Sequence, residues 1–138
     1  MDNKSLAVLK GLSLDIIQNA KAGHPGMTLS AAPILYTLYT KQLRVNPSNY
    51  NWINRDRFVM SAGGGSALLY AMLFLSGYQF SIDDLKNYGR LNSKTPSYPE
   101  IRITPAPALA TPAATVPTPA SDTSLTEISA YLFAFFKS

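Results

Sequence analysis

Three places in this sequence hold residue types that could do chemistry. The first is a short apolar run, Arg57-Phe58-Val59-Met60-Ser61, followed by Gly63-Gly64-Gly65-Ser66 and then by a long apolar stretch. Glycines after a strand let backbone amides converge on an anion, and the start of a helix adds partial positive charge, so a phosphate could sit near Gly63, Gly64, Gly65 and Ser66. The spacing is neither G-x-x-x-x-G-K-[ST] nor G-x-G-x-x-G, and a tight strand-to-helix turn without a ligand fits it as well. The second place is His24, the sole imidazole, held between Gly23 and Pro25. A loop imidazole can exchange a proton or hydrogen bond with a substrate oxygen, yet no Ser or acid stands beside it at triad-like spacing, and a plain surface histidine is the alternative. The third is Asn54-Arg55-Asp56-Arg57, whose guanidiniums could clamp a phosphate or lock the chain's entry into the strand.

These residues need elements to position them. Leu6, Leu9, Leu12, Ile16, Ile17 and Ala20 recur at three- and four-residue steps, which predicts a helix over 3–20. Gly23-His24-Pro25-Gly26 ends it, and a second helix is expected after Ser30, running to about Leu43 with Pro33 in its first turn. Nearly every residue from Ser66 to Ser76 is apolar or small, so that helix should be buried all round. Ser81 caps a short helix with Asp83 and Asp84 in its first turn. Between Pro105 and Pro119 prolines alternate with Ala and Thr, and residues 101–122 read as a linker or irregular arm without a hydrogen-bond ladder. Ser124-Leu125-Thr126-Glu127 matches a capping box ahead of Ile128, Tyr131, Leu132, Phe133, Phe135 and Phe136, so a short aromatic helix is expected over 123–138. That helix would either hook a partner protein or membrane surface, or fold back on the core.

Composition narrows the function classes. At 138 residues, 46% of them hydrophobic and 14% charged, the chain is one domain's worth, with no apolar run of about 18 residues to span a membrane. The N-terminus shows no secretory leader pattern, and a cytoplasmic setting is expected. Zero cysteines and one histidine exclude disulfides, thiolate catalysis and any Cys-based or multi-histidine metal site. The formal charge of +4 lies in residues 1–100, where ten Lys/Arg face six Asp/Glu. That excess suits phosphorylated ligands, while the lack of a basic stripe interleaved with aromatics argues against nucleic acid.

The order of the motifs adds a resemblance. Ala22-Gly23-His24-Pro25-Gly26-Met27, Ser30-Ala31-Ala32-Pro33, Asn54 to Ser61, Gly63 to Tyr70, Gly77-Tyr78 and Ser93-Lys94-Thr95-Pro96 follow one another as in the N-terminal domain of transketolases, through about Glu100. The chain resembles that thiamine-diphosphate-binding type of α/β domain, here as a mainly helical piece with one or few strands. The resemblance implies ketol transfer between sugar phosphates in the pentose phosphate pathway, with thiamine diphosphate and Mg²⁺, in a homodimer whose active site lies between subunits. It also implies that His24 contacts the sugar substrate.

The departures from the pattern concern the same chemistry. Where the family has Gly-His-Gly-Ser the chain has Gly63-Gly64-Gly65-Ser66, and where it has Thr-Pro-Gly-His-Pro-Glu the chain has Thr95-Pro96-Ser97-Tyr98-Pro99-Glu100. Two active-site imidazoles are thus replaced by Gly64 and Tyr98, and a phenol with an ordinary pKa near ~10 cannot shuttle protons at neutral pH as an imidazole does. No glycine follows Gly89, so neither the family's glycine-rich segment nor its Gly-Asp-Gly magnesium motif is carried by these residues. The sequence therefore predicts a transketolase-like fragment, truncated or joined to an unrelated tail and inactive alone. A non-catalytic scaffold and one subunit of a split transketolase, completed by another chain, are the alternatives.

Overall fold

The computed structural model describes residues 2–60, 62–99, 104, 108–110 and 133–136. Helix α1 spans Asn3–Ala20. Asp2 caps it, accepting from the Lys4 amide at 3.0 Å and the Ser5 hydroxyl at 2.6 Å, which satisfies donors that the first turn leaves free. Leu9, Ser13 and Ile16 form its buried stripe, and the buried Ser13 hydroxyl donates to the Leu9 carbonyl at 2.6 Å. Lys21, with a left-handed φ of 52°, ends the helix, its amide reaching back to Gln18 and Ile17.

Helix α2 spans Pro25–Thr37 and starts six residues earlier than the sequence suggested. Pro25 stands at its first position, where a missing amide leaves nothing unsatisfied and the fixed φ already suits a helix. The Gly-His-Pro-Gly segment is thus both the end of one helix and the start of the next, with His24 as the extended N-cap residue. Pro33 falls inside α2, not in its first turn, and the Thr37 hydroxyl bonds the Pro33 carbonyl at 2.9 Å. The helix runs on into a wider π turn, Leu38–Gln42.

Strand β1, Arg57–Met60, buries Phe58 and Met60 on one side. It lies between β2, Ala108–Ala110, which is parallel to it, and β3, Phe133–Phe136, which is antiparallel. Phe58 faces Ala108 and Met60 faces Ala110, while Arg57 faces Phe136 and Met60 faces Phe133. Both neighbours of β1 thus come from beyond Glu100. The four described residues of the segment expected as an aromatic helix form a strand, because a lone strand offers two unpaired edges and Phe suits a pleated ladder. Ala108-Leu109-Ala110 likewise forms a ladder inside the segment read as a linker, since these three residues carry the amides that proline lacks. Apart from Thr104, the rest of 101–122 and 123–138 lies outside the described residues.

Helix α3, Ser66–Leu75, has eight of its ten residues buried and packs against α1 and α2, as its all-round apolar pattern requires. Leu9, Leu35, Leu68, Leu69 and Leu73 are fully buried, each worth about 1.5–3 kcal/mol relative to exposure. Helix α4, Ile82–Lys86, begins with a capping box in which the Ser81 hydroxyl and the Asp84 carboxylate serve each other's amides. Burial pulls the Asp84 carboxyl up, but hydrogen bonds from Ser81 and the nearby Lys94 ammonium together hold it below the usual range. The result is mainly helical with a small mixed sheet. Among the described residues no helix is long and apolar enough to cross a membrane.

Candidate functional site

The first and second sequence candidates meet at one turn. Gly63–Gly65 form a single 3₁₀ turn between β1 and α3, with Gly65 as the N-cap of α3. The absence of side chains here is a packing requirement. A Cβ on Gly63 would run into the Tyr98 ring, and one on Gly64 would lie 2.5 Å from His24 Nδ1 and 2.9 Å from its Cγ. At Gly65 it would meet Met27 Cε at 2.7 Å and Met60 Sδ at 3.1 Å. His24 and Tyr98, more than seventy positions apart, therefore rest on adjacent glycines of one turn.

Each ring is delivered by a fastened segment. The His24 carbonyl accepts from both the amide and the hydroxyl of Thr28, each at 3.1 Å, which fixes the backbone while the side chain stays exposed. The segment bearing Tyr98 is tied down by several hydrogen bonds. Tyr70 Oη donates to the Pro96 carbonyl at 2.8 Å, Thr95 Oγ1 to the Asp84 carbonyl at 2.7 Å, and the Gly89 amide to the Thr95 carbonyl at 2.8 Å. Thr95 and Pro99 are buried, and Tyr98 itself is 48% exposed.

Ser66 is engaged within the fold. Fully buried, its hydroxyl donates to the Ser97 carbonyl at 2.7 Å and lies 2.7 Å from Tyr88 Oη; with the serine proton used on the carbonyl, Tyr88 is the donor of that second bond. Burial pushes the Tyr88 phenol up, against the opposing hydrogen bond to Ser66. Replacing Tyr88 by Phe is expected to lower stability by about 1 kcal/mol, since it strips a partner from a buried hydroxyl. Thermal unfolding measures it, and an unchanged melting temperature would show that the Ser66–Tyr88 bond is not made.

The arginine cluster locks the entry to β1. Arg55 Nη1 donates to the Trp52 carbonyl at 2.9 Å, and the Arg57 guanidinium to the Ile53 and Arg55 carbonyls at 3.3 and 3.4 Å. Between them Asp56 is 1% exposed, its Oδ2 accepting from the Arg44 amide at 2.7 Å. The guanidiniums thus serve the backbone turn before β1, the structural alternative weighed above. Sequence reasoning missed Met27, Met60, Tyr88 and Ser97 as partners of the glycine turn, because each reaches it only through tertiary packing.

A diphosphate with its metal ion needs open amides or hydroxyls and an oxygen cage. Here the Ser66 hydroxyl is engaged, the space beside Gly63 and Gly64 is filled by two rings, and no group of three or more His, Asp or Glu among the described residues could hold a metal ion. The described residues therefore form no such cradle for thiamine diphosphate with Mg²⁺.

Comparison with known proteins places the domain. Residues 1–114 match the family model described as transketolase, thiamine diphosphate binding domain. The transketolase of Bacillus subtilis is 56% identical over 100 residues, covering 72% of this chain and 15% of the relative; that of Geobacillus stearothermophilus is 53% identical over 105 residues, covering 76% and 16%. Among solved structures, the transketolase of Leishmania mexicana superposes with a TM-score of 0.71 at 38% identity over 75% of this chain, and that of Campylobacter jejuni with 0.69 at 46% identity over 77%. These matches cover 15% and 17% of those two chains. The chain thus spans about 15% of the length of the curated relatives it matches.

Proposed function

This chain belongs to the transketolase family, by its thiamine diphosphate binding domain, and from that premise we propose that its 138 residues keep the domain's opening frame without holding the cofactor or turning over alone. The observation that carries the reading is the glycine turn, with an imidazole against Gly64 and a phenol against Gly63 where an open cradle would be needed. The replaced imidazoles at 64 and 98 and the engaged Ser66 hydroxyl support it. His24 is the residue we assign to sugar contact, by resemblance, and Gly63, Gly64, Gly65 and Ser66 mark where the family's cofactor site would begin. Sugar phosphates as substrates, Mg²⁺ as the accompanying ion, carbohydrate metabolism by the pentose phosphate pathway, a cytoplasmic setting and assembly as a homodimer belong to the same reading.

The expected result is no ketol transfer between sugar phosphates by the purified chain supplied with thiamine diphosphate and Mg²⁺; measurable transfer would overturn the reading. A split enzyme is the second reading, in which another polypeptide supplies the glycine-rich motifs that residues 90–138 do not carry. Transfer that appears only on mixing the two chains would support it. An aromatic hook is not carried forward, since Phe133–Phe136 pair with β1.

A further inference from the structure

We propose that Gly64 is a positioning residue for His24: the bare backbone at position 64 is the seat on which the imidazole rests, so the ring stands in the volume that a side chain at 64 would fill. The three atoms nearest to a Cβ built on Gly64 all belong to the His24 ring, Nδ1 at 2.5 Å, Cγ at 2.9 Å and Cε1 at 3.2 Å. Real Cβ atoms do not approach other heavy atoms so closely, so ring and side chain exclude each other. The ring is the partner that yields. His24 is exposed, its side chain makes no capping bond, and its backbone is fixed independently through Thr28. The Nδ1 edge faces the turn, which leaves the Nε2 edge toward solvent as the one able to meet a ligand oxygen.

The neighbouring glycine has a separate tenant. The three atoms nearest to a Cβ on Gly63 all belong to the Tyr98 ring, and the three nearest to one on Gly64 all belong to His24. The two seats are therefore independent, and this gives the proposal a crossed test that does not depend on whether the chain binds a cofactor.

In Gly64→Ala the His24 ring is expected to be displaced outward, which shifts its imidazole proton and nitrogen resonances and raises its rate of acylation by diethylpyrocarbonate severalfold, while the Tyr98 ring signals stay in place. Gly63→Ala is expected to do the reverse. Gly11→Ala, where an added Cβ meets nothing within 4 Å, should leave both rings as they are. A folded Gly64→Ala protein with parental His24 resonances and reactivity would overturn the proposal. If that variant does not fold, the parent decides: a nuclear Overhauser contact between the His24 ring protons and the Gly64 α-protons is expected, and its absence would equally refute the seat.

Discussion

Replacing Tyr70 with alanine is expected to destabilise the chain by about 3–5 kcal/mol, the range for removing a large buried aromatic side chain. Tyr70 is wholly buried in α3, and its ring meets Phe80 and Tyr88 edge-on at centroid distances of 5.9 and 6.0 Å. Its hydroxyl also ties down the Pro96 carbonyl at 2.8 Å, so the same change frees the segment that lays Tyr98 on the glycine turn. A loss of that size is a large part of the ~5–15 kcal/mol that holds a typical domain, and the variant should be largely unfolded at moderate urea. Tyr70→Phe keeps the ring contacts and should lose only about 1 kcal/mol. Equal stability of the parent and the alanine variant in urea titrations would refute the packing described for α3.

The second large effect is alkaline. Burial pushes the Tyr78 phenol from 10.0 up to about 12, opposed by the nearby Arg55 charge, and burial raises Tyr39 and Tyr88 as well. A phenol whose folded pKa exceeds its unfolded pKa adds stability that is complete below the unfolded value, because there neither state is ionised. As pH rises through the unfolded and then the folded value, only the unfolded state loses its proton, and stability falls. For Tyr78 alone the loss is about 2–3 kcal/mol between pH ~10 and ~12. Unfolding free energy should therefore be level up to pH ~9 and drop steeply above it. Tyr78→Phe should flatten part of that slope. It should do so at little cost near neutrality, since the Tyr78 hydroxyl has no hydrogen-bond partner among the described residues. A level profile through pH ~11 would contradict burial of these rings.

Helix positions were legible wherever one periodicity and one stop signal agreed. The stripe through Leu9 and Ile16 gave α1, and the unbroken apolar run after Ser66 gave α3. The start of α2 was not, since Pro25 both breaks a preceding helix and opens a following one, and only the extended backbone at His24 decides between them. The Phe133–Phe136 segment reads as helix behind its capping box. Pairing with the edge of β1 overrides that local signal, and an edge left open by distant parts of a chain has no signature in a window of sequence. At the site, His24, Gly64 and Tyr98 were each marked as residues of interest, but their convergence was not foreseeable. What joins them is the missing Cβ at Gly63 and Gly64, an absence that becomes a contact only after α2 and the 93–99 segment are folded over the turn.

The claim on which the account rests is that this turn is closed by the chain's own rings and holds no diphosphate. Isothermal calorimetry of the purified chain, titrated with thiamine diphosphate in the presence of Mg²⁺, tests it directly. The account predicts no saturable heat. A saturable, stoichiometric isotherm with micromolar affinity would contradict it.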